Sequence, residues 1–257
     1  MIRTATASKA PSIPAEYSAA QHTLPQTLLL HLLPGALITI AFILLGPWVK
    51  ANHLPPMLAI LLPILFVLIP FELIFLYYQG YRRNGRLSLE GIVLYREPLP
   101  VKDYFIFPLV LLVWFVLTFL AIDKFDQTLL ASWFGWLPDW FTLARFSPAD
   151  YSPSTLAVTF FLTLVLNGIA GPVVEELYFR GYLLPRMQQM KGWAPLVNAV
   201  LFSLYHFFAP WGNISRIIGL IPMVYTVQWK KNIYLSILAH CLKNTISCLM
   251  MVSWFFK

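Results

Sequence analysis

Apolar runs of about 20 residues recur along this chain, each long enough to cross a hydrocarbon core as a helix. Membrane strands would be half as long and would alternate in polarity, which these runs do not. The pattern predicts spans near Gln26–Val49, Leu54–Tyr78, Tyr104–Ile122, Ser154–Pro172, Trp193–Ala209, Ile214–Trp229 and Ile233–Phe255. The fold class is therefore all-α, a polytopic transmembrane helical bundle of about seven to eight membrane helices. Pro55, Pro63, Pro70, Pro108, Pro195 and Pro222 lie within or at the edges of the runs, so kinks and short breaks are expected.

Composition agrees with the pattern. With 59% hydrophobic and only 11% charged among 257 residues, the chain is too apolar for a soluble globular domain. Residues 1–22 lack the apolar core of a signal peptide and are rich in Ala, Ser, Thr and Pro, so they read as a disordered N-terminal tail. The N-terminal membrane helices and loops follow over 23–153, and 154–257 forms a C-terminal helical core that carries the candidate chemistry.

Charge sets the orientation. The loop from Gln79 to Asp103 carries Arg82, Arg83, Arg86, Arg96 and Lys102 against three acids, whereas Asp123–Pro153 carries four aspartates against Lys124 and Arg145. By the positive-inside rule the first loop is cytoplasmic and the second external, which makes the N-terminus cytoplasmic in a multi-pass protein of the cell membrane. Arg180, Arg186, Lys191, Lys230 and Lys231 then fall on the cytoplasmic side too. Trp133, Trp136 and Trp140 are either an interfacial aromatic anchor or part of a packed loop. The net charge of +7 is scattered over loops rather than gathered on one soluble face, which points to topology and the lipid bilayer and not to nucleic acid. Cys241 and Cys248 lie seven apart on one helix face, where a disulfide cannot close, and read as small packing residues.

No internal repeat and no Gly-rich phosphate loop is visible, which leaves the polar residues inside the membrane as functional candidates. The densest group is "GPVVEELYFRG", from Gly171. Glu176 and Arg180 are four apart with the acid first, the favourable orientation for a helical ion pair. Glu175 lies about 100° around the helix from Glu176 and is left without a local cation. Partly desolvated, such a carboxylate could serve as a general base near neutral pH. "FSLYH", ending at His206, and "HCLKN", from His240 to Asn244, supply partners, the second placing an imidazole and an amide on one helix face. Together they suit hydrolysis: Glu175 takes a proton from water, His206 holds that water, and His240 with Asn244 donates to the oxyanion. His31 and Glu72 match no pattern and read as an interfacial histidine and a snorkelling or paired acid.

The order EExxxR, FxxxH, HxxxN resembles the CAAX-protease and bacteriocin-processing family of intramembrane endopeptidases. The resemblance runs through Glu175, Glu176, Tyr178, Phe179, Arg180, Gly181, Phe202, His206, His240 and Asn244, and it covers roughly the C-terminal third to two-fifths of the chain. It implies a CAAX-protease-like catalytic core with Glu175 as base, His206 as its partner on the water, His240 and Asn244 as oxyanion donors, and Glu176 and Arg180 as site-orienting residues. It also implies a membrane-associated protein or peptide as substrate, prenylated or not, and a cavity open to the cytoplasm. The final HxxxN is more like the prokaryotic branch than the eukaryotic prenyl-protein proteases.

Three alternatives stay open. Two histidines and a glutamate could bind zinc, although HExxH is absent and a ligating Glu175 would remove the obvious base, so no cofactor is the favoured reading. The polar group could instead stabilise a non-catalytic immunity or scaffold protein of the same fold, or form part of an ion relay. Depth poses a further problem. Glu175 falls near the cytoplasmic end of its span and His206 late in its own, about 20 Å apart at the helical rise. Either the EELYFRG helix dips back into the bilayer, or the stretch around Pro195 does not span.

Overall fold

The computed structural model describes residues 19–142 and 146–255, with side chains as far as Met251. The described residues fold into eight helices and one isolated antiparallel bridge between Arg96 and Asn232. The helices are α1 (Leu24–Ala51), α2 (Leu58–Asn84), α3 (Asp103–Trp133), a single turn α4 (Asp139–Thr142), α5 (Pro153–Arg186), α6 (Ala194–Leu204), α7 (Asn213–Lys230) and α8 (Tyr234–Phe255). Among them α1, α2, α3 and α5 are long and apolar enough to cross a membrane by length and composition. Four such helices make this a multi-pass membrane protein, with fewer candidate spans than the seven to eight expected. α7 and α8 lie alongside them, α7 against α3 and α6, and α8 against α3 and α5.

Local sequence explains the helix limits. Thr23 and Gln26 form a reciprocal capping box at the start of α1, and Ser152 accepts from the Thr155 amide at 3.1 Å just before Pro153 opens α5. Gly85, at φ 67°, ends α2 in the left-handed conformation that glycine adopts without strain. Inside α5, Pro172 has no N–H to give Gly168, and on either side the helix widens into π turns over Thr163–Ala170 and Glu176–Leu183. The second π turn holds most of the EELYFRG segment.

The bundle has two chemically different ends. At one, the backbone of the 85–102 loop is stitched to the ends of α5 and α7: Leu94 N–H donates to Gly181 O at 2.8 Å, Glu97 N–H to Lys231 O at 2.9 Å, and Ile233 N–H to Tyr95 O at 2.8 Å. Arg82, Arg83, Arg86, Arg96, Lys102, Arg186, Lys230 and Lys231 collect there, and Lys230 pairs with Asp103 at 3.7 Å. Burial pushes the Tyr95 phenol in this layer up to about 12. At the other end Trp140 and Phe141 pack on Phe42 of α1, at ring separations of 5.5 and 4.8 Å, and Phe134 packs on Trp211 at 5.8 Å. Trp133 and Trp136 stay exposed there, while Trp140 is a packing residue. Asp123, Asp126, Asp139 and Asp150 lie toward this end; Arg145, counted with them in sequence, is outside the described residues.

Of the expected 1–22 tail, residues 1–18 lie outside the described residues. The last four belong to the fold, because polar groups on both sides meet. His22 N–H donates to Arg186 O at 3.0 Å, Gln188 N–H donates to Gln21 Oε1 at 2.7 Å, and Gln189 Nε2 donates to His22 O at 2.7 Å. Burial, with the Arg186 charge nearby, lowers the His22 imidazole to about 4.

Candidate active site

The two adjacent glutamates of α5 take different surroundings. Glu176 turns into the protein, where its Oε1 lies 3.1 Å from Arg180 Nη1, with neither side chain exposed at all. The same oxygen lies 3.0 Å from His240 Nδ1 on α8. The Arg180 guanidinium sits over the Phe202 ring, 4.0 Å from its centroid. Pairing is what makes these charges tolerable, since an unpaired charge in such an interior costs several kcal/mol. Stacking adds a cation–π contact on the guanidinium face.

Glu175, one residue earlier, turns toward a cavity instead. Its Oε1 accepts a hydrogen bond from the Tyr205 hydroxyl. Its Oε2 lies 3.9 Å from His240 Nε2. His240 therefore spans the pair, Nδ1 on Glu176 and Nε2 toward Glu175, and a carboxylate at Nδ1 calls for the proton on that nitrogen. His206 is oriented in a comparable way. Its Nδ1 lies 2.9 Å from Phe202 O, and since a carbonyl only accepts, the proton sits on Nδ1 and Nε2 is left as an acceptor. The ring rests against Tyr205 and Phe208, at centroid distances of 4.2 and 5.4 Å. Asn244 gives one amide N–H to Asn167 O at 2.8 Å and keeps its second N–H and its carbonyl.

Glu175, His206, His240 and Asn244 all line one cavity of about 580 Å³, together with Tyr205 and Lys243. Glu176 and Arg180 lie behind the wall and outside the lining. The structure thus brings together the six residues singled out in the sequence and divides them into four that face a common space and two that brace it.

The depth problem resolves through the length of α6. That helix has 11 residues, short of the roughly 20 needed for a crossing, so the expected span Trp193–Ala209 is not one. It ends at Leu204, and Tyr205 reaches from its end to the Glu175 carboxylate. α5 remains one helix through the EELYFRG segment to Arg186, so no separate re-entrant helix is present.

Two expectations for isolated residues are corrected. His31 is fully buried rather than interfacial: its Nδ1 lies 2.7 Å from Thr27 O and its Nε2 3.0 Å from Asn198 Nδ2, tying α1 to α6. Glu72 does not snorkel. It is fully buried on α2, and neither carboxylate oxygen has a hydrogen-bond partner among the described residues. Sequence reasoning also passed over Tyr205, although "FSLYH" contains it, because a tyrosine in an apolar run reads as packing. Asn167, a polar amide inside the Ser154–Pro172 run, was missed as well, although its polarity in an apolar run was the available signal.

Among the described residues no three His, Cys, Asp or Glu side chains converge in a group that could hold a metal. Cys241 and Cys248 are both free.

A paired acid and histidine facing a cavity within a helical membrane bundle make a set that can activate water for hydrolysis. Comparison with protein families narrows the class: residues 157–246 match the model described as type II CAAX prenyl endopeptidase Rce1-like. The chain carries an Rce1-like CAAX endopeptidase family domain, running from the first half of α5 into the middle of α8 and containing all six site residues. Neither the curated proteins nor the solved structures return a significant match.

Proposed function

We propose that the protein is an intramembrane endopeptidase that hydrolyses a peptide bond of a membrane-associated protein or peptide, with Glu175 as general base. The observation that carries this reading is the division of labour between the glutamates. Glu176 takes the Arg180 charge, while Glu175 faces the cavity between a tyrosine hydroxyl and a histidine. The 3.9 Å gap between Glu175 Oε2 and His240 Nε2 exceeds a direct hydrogen bond, which leaves both atoms available to groups in the cavity.

In the proposed reaction Glu175 removes a proton from water as the oxygen attacks the substrate carbonyl. His206 Nε2 accepts that water's other hydrogen and aims it. The oxyanion receives the free Asn244 N–H and, when the His240 ring carries both protons, its Nε2–H. Collapse of the tetrahedral intermediate breaks the C–N bond, and Glu175 returns its proton to the leaving amine. Glu176 and Arg180 orient His240. Tyr205 holds the Glu175 carboxylate in register. The domain family points to a CAAX-type protein as one substrate candidate, prenylated or not.

The test is cleavage of a peptide panel, with and without a C-terminal prenyl-cysteine motif, by purified wild type and Glu175→Gln, each with and without chelator. Cleavage by wild type that is lost in the variant and indifferent to chelator is the expected result. Chelator sensitivity would assign Glu175 and the histidines to a metal site. A Glu175→Gln protein with undiminished function would leave a scaffold role.

A further inference from the structure

One basic side chain in the cavity has no task in the reaction. Lys243 is central in α8, which has 22 residues, and it lies inside "HCLKN" without being part of the HxxxN pattern. His240, Lys243, Asn244 and Ser247 all line the cavity, and the helical repeat places them within about 100° of one another, on one face. Long helical side chains lean over the turn that precedes them, which for Lys243 is the turn holding His240. Among the described residues the Lys243 ammonium has no hydrogen bond and no ion pair, and its side chain is exposed. Snorkelling serves lysines near helix ends, and Lys243 is midway along.

Arg216 of α7 lines the same cavity, and its guanidinium bonds all go to neutral oxygens: Asn213 Oδ1 at 2.9 Å, Ser203 O at 3.2 Å, Ala209 O at 3.3 Å and Ser203 Oγ at 3.4 Å. The charges of Arg216 and Lys243 act on each other and on Glu175. Asp123 and Asp126 of α3 are the other acids in the lining. Among the described residues neither forms an ion pair with either cation, and Asp126 accepts from the Ser215 hydroxyl instead. Two positive charges without an ion-pair partner thus face a cavity whose α2 wall, Ile60, Leu61, Ile64 and Leu68, is apolar. Such a space is complementary to a chain that is apolar along most of its length and negative at one point. We infer that Lys243, backed by Arg216, binds a carboxylate of the substrate, either its C-terminal carboxylate or an acidic side chain, and so fixes which peptide bond meets Glu175. Lys243 follows His240 by about 4.5 Å along the helix axis, so a carboxylate held there lies a few residues from the bond that is cut. The selection of a bond rests on the endopeptidase reading; the carboxylate site does not.

Binding tests the site without requiring activity. One apolar peptide is made in three forms: with a free C-terminal carboxylate, with a C-terminal carboxamide, and with the carboxamide and one internal glutamate. Each is titrated by calorimetry against the full-length Glu175→Gln protein in detergent, alone and combined with Lys243→Gln or Lys243→Arg. At least one carboxylate form should bind about 10- to 100-fold tighter than the neutral amide, the scale of a hydrogen bond to a charged group. Lys243→Gln should erase that preference and Lys243→Arg should keep most of it, with Lys243→Met as a second neutral variant if the glutamine protein does not fold. The preferred form names the source of the carboxylate. Equal binding of all three forms, binding of none, or a preference that survives Lys243→Gln overturns the inference. In cleavage by otherwise wild-type protein, Lys243→Gln should raise KM for the preferred form more than it lowers kcat. A fall in kcat shared by every form would show that Lys243 acts through Glu175, and overturns the inference too. Failure of the peptidase reading is separate: it would appear as equal cleavage by wild type and Glu175→Gln, whatever the binding preference.

Discussion

Gly35→Ala should damage a site that Gly35 does not touch. Gly35 lies on α1, outside the family-matched segment, and a Cβ there would stand 2.0 Å from the Tyr205 carbonyl oxygen, 2.7 Å from its carbon and 2.8 Å from its ring. Ordinary contact begins near 3.4 Å, so the Tyr205 backbone or α1 must yield by about 1.4 Å, and two of the three obstructing atoms are main chain. A shift of that size breaks the Tyr205 hydrogen bond to Glu175 and displaces His206, the next residue. Misplacement by about 1 Å costs on the order of a hundredfold in rate, and overpacking costs about 1–3 kcal/mol in stability. Peptide cleavage should therefore lose about two orders of magnitude in kcat, with a modest fall in Tm in detergent. Gly168→Ala is the control, because its nearest non-local atom is Thr245 Oγ1 at 3.4 Å and it should be tolerated. A Gly35→Ala protein with wild-type kcat and Tm would refute the role given to Tyr205.

The other predictions concern single groups. Tyr205→Phe removes the hydroxyl from Glu175 and should lower kcat by roughly 10- to 100-fold, the equivalent of about 1.5–3 kcal/mol for a hydrogen bond to a charged group, in a cleavage assay. Glu176→Gln leaves Arg180 buried without its counter-charge and should cost about 3–5 kcal/mol, seen as a large drop in Tm, whereas Glu175→Gln should stay near the wild-type Tm. His22 has a folded value of about 4 against 6.5, so its contribution is present above 6.5 and is lost as pH falls toward 4. Protection factors at residues 21–24, taken relative to the intrinsic exchange rate at each pH, should fall across that window, and His22→Asn should flatten the dependence.

Which parts of this molecule were legible in the sequence follows from the range of each signal. The i, i+4 pair Glu176–Arg180 and the first four apolar runs are local signals, and each appears in the fold where the sequence implied it. Helix count is a weaker inference, because α6 ends at Leu204 through a turn that hydropathy cannot register. The contacts of His31 and Glu72 are set by helices far away in the chain, Asn198 meeting His31 across 167 positions, so burial could not be read from neighbours. Tyr205 was hidden for the opposite reason: its apolar ring packs as expected, while its hydroxyl reaches α5. Loop charge predicted two unlike ends, and the basic residues do collect at one of them.

The account depends most directly on Glu175 activating water. Purified wild-type protein, a cleaved peptide and water labelled with heavy oxygen, followed over a single turnover by mass spectrometry, tests it. The prediction is one labelled oxygen in the newly formed peptide carboxylate, none in Glu175, and no turnover by Glu175→Gln. Label appearing in Glu175 would indicate a covalent acyl intermediate, and wild-type turnover by Glu175→Gln would remove Glu175 from the chemistry; either contradicts the mechanism.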